Sequence, residues 1–238
     1  MLIRVLLAAI LAGVGAGVFA TAAQSLRVTP LILEAETYEN AGGSHDHDGT
    51  AAASGEAADA GQEAWAPENG WERTLATLGA NVVTGAGFAL LVTAAILVAG
   101  YGISPALGLV WGVAGYVTFV LAPNLGLPPE LPGMAAADLQ ARQIWWLATV
   151  LATGAGLAIF ALRRQPLWIA AGVALIVAPH LYGAPRPATH ESLAPAHLAV
   201  DFAVATLVTS FAFWLFLGAL LGFLLQRAMK SEAAEAPV

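Results

Sequence analysis

The chain has 238 residues, of which 58% are hydrophobic and only 11% are charged, and its formal net charge is −7. A soluble domain carries about twice that charged fraction, so the composition argues against a soluble globular protein. The acidic balance argues against nucleic-acid binding. Because cysteine is absent, disulfides, thiolate metal sites and thiol nucleophiles are excluded.

Six apolar segments follow one another, most of them near the length of about 20 residues with which a helix crosses the hydrocarbon core. In lipid, backbone polar groups have to bond within their own segment. We therefore predict an all-α integral membrane helical bundle with five or six transmembrane helices, since the short fifth segment is either a full crossing or re-entrant. The segments are 2–23, 75–100, 103–122, 144–162, 166–182 and 198–226.

The first segment has two interpretations. Arg4, an apolar stretch and Ala20-Thr21-Ala22 are typical of a secretory signal with a small-residue cleavage site. Residues 1–23 are therefore either the first transmembrane helix or a signal peptide. In both cases residue 24 onward lies outside.

Basic residues favour an orientation with the N-terminus inside, if it is not cleaved, because Arg163 and Arg164 occupy a very short loop. Residues 74–226 then form the bundle and 227–238 a cytoplasmic tail. With this orientation, all five histidines and fourteen of the sixteen acidic residues lie at or near the outer face. Imidazoles and carboxylates together are typical ligands of divalent transition metals.

The outer segment 24–73 is acidic, with ten carboxylates against Arg27 and Arg73, a local charge of −8. Its middle, 40–70, is rich in small and polar residues, so we predict that it is largely disordered. Within it, His45 and His47 alternate with aspartates and form a short metal-chelating tract, or a solvated linker.

Three carboxylates, Glu34, Glu36 and Glu39, precede this tract. In an extended segment Glu34 and Glu36 share a face, whereas in a helix Glu36 and Glu39 do so. Either arrangement presents two carboxylates to a cation. The alternative is a solvated acidic turn.

The third group is His190, His197 and Asp201, with Glu191 beside them. A helix that begins by Pro195 places His197 and Asp201 one turn apart on one face. Asp201 then lies just inside the hydrocarbon boundary, where an ionisable residue is a functional candidate. The alternative is that His197 only pairs with Asp201.

His180, at the outer end of the fifth segment, completes the candidate metal ligands. Pro179 is expected to disturb the helix and to free carbonyls for a cation. The alternative is an interfacial histidine. Outside these groups, we predict close helix approach at three glycine pairs: Gly13 and Gly17, Gly108 and Gly112, and Gly218 and Gly222. We also predict an interfacial belt at three tryptophans: Trp145, Trp146 and Trp168.

The chain resembles the CbtA family of predicted cobalt transporter subunits in three stretches. They are TPLILEAETYE at 29–39, LPGMAAADLQARQ at 131–143 with Trp145-Trp146, and APHLYGAP at 178–185. The resemblance implies a multi-pass protein of the bacterial inner membrane, cobalt supply for cobalamin synthesis, and a small one-helix CbtB-type partner with a histidine-rich tail. The family is described with about five spans, so a sixth span departs from it.

We therefore predict a subunit for uptake of a divalent transition metal, with cobalt favoured by the resemblance alone and nickel as an alternative. The acidic segment gathers the ion, the outer histidines bind it, and it passes inward beside groups such as Asn81, Thr84 and Asn124. We expect no tightly bound cofactor; lipid and the metal ion are the other partners, and a homo-oligomer is compatible with this.

No hydrolase or nucleotide-binding motif occurs, so no enzyme activity is expected. One alternative function is a metal-binding accessory or scaffold subunit of another permease. The other is a membrane metalloenzyme with zinc on His180, His190, His197 and Asp201.

Overall fold

A computed structural model describes residues 2–43, 67–100, 102–189 and 192–235. This part of the chain is helical and contains no strand, only an isolated antiparallel bridge between Met134 and Ser192. The predicted all-α membrane bundle is thus confirmed. His45, His47 and His190 lie outside the described residues, as do Glu191 and most of the region predicted to be disordered.

Eight α-helices follow in chain order. A π-helical turn, Val117–Leu121, links α4 directly to α5. The helices are α1 Leu2–Arg27, α2 Thr29–Gly43, α3 Trp71–Ala99, α4 Pro105–Tyr116, α5 Ala122–Asn124, α6 Leu139–Leu162, α7 Pro166–Tyr182 and α8 Ala196–Glu235.

Five helical stretches of the described chain are long and apolar enough to cross a membrane: Leu2–Arg27, Trp71–Ala99, Pro105–Asn124, Leu139–Leu162 and Ala196–Lys230. The sixth apolar helix, α7, has 17 residues and rises about 25 Å. Near its start, Trp168 lies under the guanidinium of Arg163, just after α6 ends. Near its end, the Pro179 carbonyl accepts a hydrogen bond from Trp145, close to where α6 begins. Therefore α7 runs antiparallel along most of α6.

The long helices alternate in direction, so the bundle has two distinct ends. Asn81 of α3 donates to Gln24 near the end of α1, and His180 of α7 contacts the carbonyl of Ala122 in α5. We call this the α2 end. It holds the last turns of α1, α5 and α7 and the first turns of α3, α6 and α8. The opposite end holds Arg4, Arg163, Arg164, Arg227 and Lys230.

Glycines bring two helix pairs into backbone contact. A Cβ atom on Gly17 of α1 would lie 2.6 Å from the carbonyl oxygen of Asn81, and one on Gly222 of α8 would lie 2.5 Å from that of Ser104. Gly108 likewise faces the backbone of Gly218. Since lipid supplies no hydrophobic drive between helices, such close packing is a main source of association. The predicted role of the glycine pairs is confirmed.

The structure decides between the alternatives that the sequence left open at the start of the segment 24–73. Helix α1 continues to Arg27, and 29–43 forms α2, so the helical alternative holds for the three glutamates rather than the extended one or the turn. The reason is tertiary packing, because Val28 and Ala35 are buried against Leu198 and Phe202 of α8. Burial of this apolar face stabilises a helix that its composition alone does not specify.

The prediction that Trp145 belongs to an interfacial belt is wrong. Its side chain is 5% exposed, and its indole N–H donates to the Pro179 carbonyl at 3.2 Å. A tryptophan that buries its ring needs such an acceptor. Trp146 and Trp168 are 38% and 42% exposed, as expected of belt residues.

Two glycines of α3 allow a matched test of the packing between α1 and α3. Gly85 faces the carbonyl of Gly13, whereas a Cβ on Gly87 would meet nothing within 4 Å. We expect Gly85→Leu to destabilise the protein by about 1–3 kcal/mol or more through overpacking. Gly87→Leu should be neutral, and thermal unfolding in detergent compares the two. Equal stability of the two variants would contradict this packing.

Candidate metal-capture face

The three acidic candidates, Glu34, Glu36 and Glu39, all lie on helix α2, which sets the direction of each side chain. Glu34 and Glu39 are exposed, and Glu36 is half-buried. The carboxylate of Glu36 accepts a hydrogen bond from Arg73 at 2.7 Å, which forms an ion pair between α2 and the first turn of α3. Glu36 is therefore engaged in holding α2, while Glu34 and Glu39 present their carboxylates to the surroundings.

The far part of α2 lies over the two loops of the α2 end. A Cβ on Gly133 would lie 3.7 Å from Cβ of Glu39 and 3.4 Å from Cβ of Leu193, and Gly133 has φ +76°. The amide of Leu193 donates to the Gly133 carbonyl at 3.3 Å. Thus three parts of the chain form one layer: helix α2, the loop after α5, and the segment that precedes α8. We call it the loop layer.

His197 and Asp201 lie in the first two turns of α8. They are one helical turn apart, and both are exposed. Leu198 and Phe202, the residues that follow each of them, are buried under α2 with 1% and 8% exposure. Among the described residues no ion pair joins His197 to Asp201, so the alternative of a structural pair has no support. The two groups are available at the surface.

His180 is engaged with the backbone on both sides of its ring. Its Nδ1 lies 3.0 Å from the carbonyl oxygen of Ile176, and its Nε2 lies 3.0 Å from that of Ala122. The ring also meets Trp145 edge-on, with 5.8 Å between centroids. A metal can bind either nitrogen only after that nitrogen leaves its carbonyl. In this arrangement His180 holds α7 against α5.

The sequence predicted that Pro179 would disturb the helix, but the helix is not broken there. Helix α7 continues to Tyr182, and the Pro179 carbonyl accepts hydrogen bonds from Gly183 and Trp145. The irregular backbone lies instead across from it, in the π-helical turn and Pro123 of α5. The acceptor that faces His180 is therefore the Ala122 carbonyl, at the end of that turn.

All the candidate ligands that the structure describes lie at the α2 end, but they are not assembled. Within the described residues no group of three or more histidine, aspartate or glutamate side chains is close enough to hold a metal ion. The carboxylates of α2, the pair on α8 and His180 are thus separate elements of one face.

A cavity lined by both polar and apolar side chains was only partly predicted from the sequence. It measures about 150 Å³ and lies between α1, α3, the π-helical turn and α8. Asn81 and Thr84 were noted as polar groups within a span, whereas Gln24, Thr209 and Ser210 were not. The available signal was weak, namely neighbouring polar residues in long apolar helices. The polar side chains that line it are Gln24, Asn81, Thr84, Thr209 and Ser210.

The two described histidines should respond differently to removal. His180→Ala deletes contacts to two carbonyls and to Trp145, and should destabilise the metal-free protein by about 1–3 kcal/mol. His197→Ala removes an exposed side chain and should change stability by less than about 0.5 kcal/mol. Thermal unfolding in detergent with a chelator measures both. A destabilisation by His197→Ala equal to that by His180→Ala would contradict this assignment.

Comparison with known proteins gives one family. Residues 2–226 match the family model described as probable cobalt transporter subunit, CbtA. This range includes α1, the loop layer and all the other membrane-length helices except the last turns of α8. No curated protein matches the chain. No solved structure matches it either.

Proposed function

We propose that this chain, which belongs to the CbtA family of probable cobalt transporter subunits, takes up a divalent transition metal, cobalt in the first place, and thereby supplies cobalamin synthesis. The family match over almost the whole chain carries this proposal. The five membrane-length helices support it, because a transporter subunit has to span the bilayer.

In our proposal the α2 end faces outward from a bacterial inner membrane and the N-terminus is cytoplasmic. The basic residues at the opposite end support this orientation. We further propose that α1 is retained as a membrane helix. Its support is the backbone contact between α1 and α3, together with a family match that begins at residue 2.

Capture begins with electrostatic attraction. The segment 24–73 carries ten carboxylates against two arginines, and Arg73 is already paired with Glu36. Exposed carboxylates such as Glu34 and Glu39 then raise the local concentration of cations. This contribution should fall as ionic strength rises, because exposed charges are screened within about 8 Å at physiological salt.

The ion is next bound by imidazole and carboxylate groups. His197 and Asp201 are the described pair that is exposed for this role. In the proposal His45, His47 and His190 supply further imidazoles. His180 joins them only when one ring nitrogen leaves its carbonyl, so its participation requires α5 and α7 to move apart locally.

Cobalt is assigned through the family rather than through the ligands. Imidazole and carboxylate groups bind Ni²⁺ and Cu²⁺ more tightly than Co²⁺. Selection therefore depends on coordination geometry and on the supply of metal. Nickel is the expected competitor.

The function is tested by uptake of radiolabelled cobalt in a host that lacks other importers. The chain, expressed with its small partner, should accumulate cobalt, and His180→Ala combined with His197→Ala should abolish the accumulation. Because His180 also has a structural role, His197→Ala with Asp201→Asn is the cleaner variant, and a reduction of roughly tenfold or more is expected from losing two metal ligands. Unchanged uptake by both well-expressed double variants would contradict this ligand set.

A second candidate function is an accessory subunit that presents metal to another permease. The family description names a subunit, which favours an assembly, and we propose a one-helix CbtB-type protein as a member of it. Purified chain in liposomes, with and without that partner, separates the two roles. Metal flux that occurs only when the partner is also present supports the transporter. Metal binding without flux, both with and without the partner, supports the accessory role.

A further inference from the structure

We propose that the cavity between α1, α3 and α8 is a transit site for a partly hydrated divalent cation and that an aromatic cluster, which forms its inner wall, is a closed gate. This inference rests on the proposed transport function and adds where the ion crosses. The cluster consists of Phe88, Phe119, Phe213 and Trp214, with ring centroids 4.8–6.5 Å apart.

The carboxamide of Asn81, which lines the cavity, is held in place by hydrogen bonds to α1. The carboxamide nitrogen of Asn81 donates to the hydroxyl of Thr21 at 3.1 Å and to the side-chain oxygen of Gln24 at 2.8 Å. Both N–H groups of Asn81 are thus directed at α1. Its carboxamide oxygen accepts no hydrogen bond from the described residues, so it remains available to a cation or to the water around it.

A further hydroxyl of α8, that of Thr206, lies near the cavity but does not line it. Thr206 precedes Thr209 and Ser210 by three and four residues, so it lies on the same helix face, one turn nearer the α2 end. Its hydroxyl is buried and has no hydrogen-bond partner in the part of the chain that the structure describes. A buried polar atom without a protein partner is a position that a water molecule or an ion can satisfy.

The chemistry of the lining favours a hydrated and weakly held ion. The lining combines amides and hydroxyls with apolar side chains and contains no charged side chain, so it cannot compensate a bare divalent ion for its lost hydration. A volume of about 150 Å³ has room for several water molecules. Weak binding is what transit requires, because the ion must also leave.

The aromatic cluster lies deeper than the polar groups on both helices that run inward from the α2 end. Phe88 follows Thr84 by one turn of α3, and Phe213 and Trp214 follow Thr209 and Ser210 by one turn of α8. The rings of Phe88 and Trp214 are 4.8 Å apart between centroids, and Trp214 is 1% exposed. An apolar constriction of this kind excludes water and therefore blocks ions until it opens.

The transit site is tested by initial rates of radiolabelled cobalt uptake over a range of concentrations. Uptake is measured in the importer-deficient host that expresses the chain with its small partner, with expression quantified. Asn81→Asp should lower the apparent KM several-fold, since charge-assisted contacts are roughly twice as strong as neutral ones. Asn81→Leu should reduce the rate by roughly tenfold or more, because it removes the carboxamide oxygen proposed to face the ion.

Although the sequence suggested that Asn124 lies beside the path of the ion, Asn124 does not line the cavity, so it provides the matched control. It is the same residue type at the same end of the bundle, but its amide donates to the Val120 carbonyl of its own helix. Asn124→Leu and Asn124→Asp should leave the apparent KM unchanged. If Asn81 variants fail to accumulate in the membrane, Thr84→Val serves instead, because it removes one oxygen from an exposed residue without changing its shape. Thr84→Val should slow uptake.

The gate is tested with Phe88→Ala, which should raise the uptake rate and weaken discrimination between cobalt and Mg²⁺. Phe223→Ala is its control, because Phe223 lies at the opposite end under Arg227. The transit site would be overturned if the Asn81 or Thr84 variants showed wild-type rates and KM. It would also be overturned if Asn81→Asp slowed uptake without a change in KM. Slower or unchanged uptake by Phe88→Ala would overturn the gate. If the wild-type chain shows no uptake, it is the proposed function that fails.

Discussion

Backbone-to-backbone packing at glycine is the interaction on which the bundle depends. Lipid offers no hydrophobic drive between helices, so association comes from close van der Waals contact and a few hydrogen bonds. Gly17 brings α1 against α3, and Gly108 and Gly218 bring α4 against α8. These two contacts, joined through the buried ring of Trp214, fix the arrangement of α1, α3, α4 and α8.

The same packing explains why the candidate ligands share one end. Alternating helices return the chain to the α2 end after every second crossing, and α2 docks there on the first turns of α8. The ion pair between Glu36 and Arg73 ties this helix to α3. Glu34, Glu39, His197 and Asp201 remain exposed on the resulting face, while His180 is engaged between α5 and α7. The face therefore offers ligands to an ion without holding a preformed coordination sphere.

Much of the fold follows from the sequence, since runs of apolar residues and glycines four residues apart have few other physical outcomes in lipid. The docking of α2 was not predictable, because the apolar face of the segment 29–43 is narrow. The helix is stabilised by packing against Leu198 and Phe202 of α8. The burial of Trp145 was missed for a similar reason, since its acceptor lies 34 residues away at Pro179. The alignment of Asn81 with Thr209 and Ser210 depends on how α3 and α8 rotate, which no local pattern specifies. His45 and His47 lie outside the described residues, so their role stays a prediction.

The central claim is that the face carrying these ligands is a single aqueous surface on the outside of the membrane. The chain has no cysteine, so single cysteines can be read without background by a membrane-impermeant maleimide. Cysteines at the exposed positions Thr37, Tyr182 and Ala196 should be labelled in intact cells, whereas cysteines at Arg164 and Met229 should be labelled only after permeabilisation. Labelling of Thr37 and Ala196 from opposite sides would contradict the account, as would labelling of Arg164 from outside.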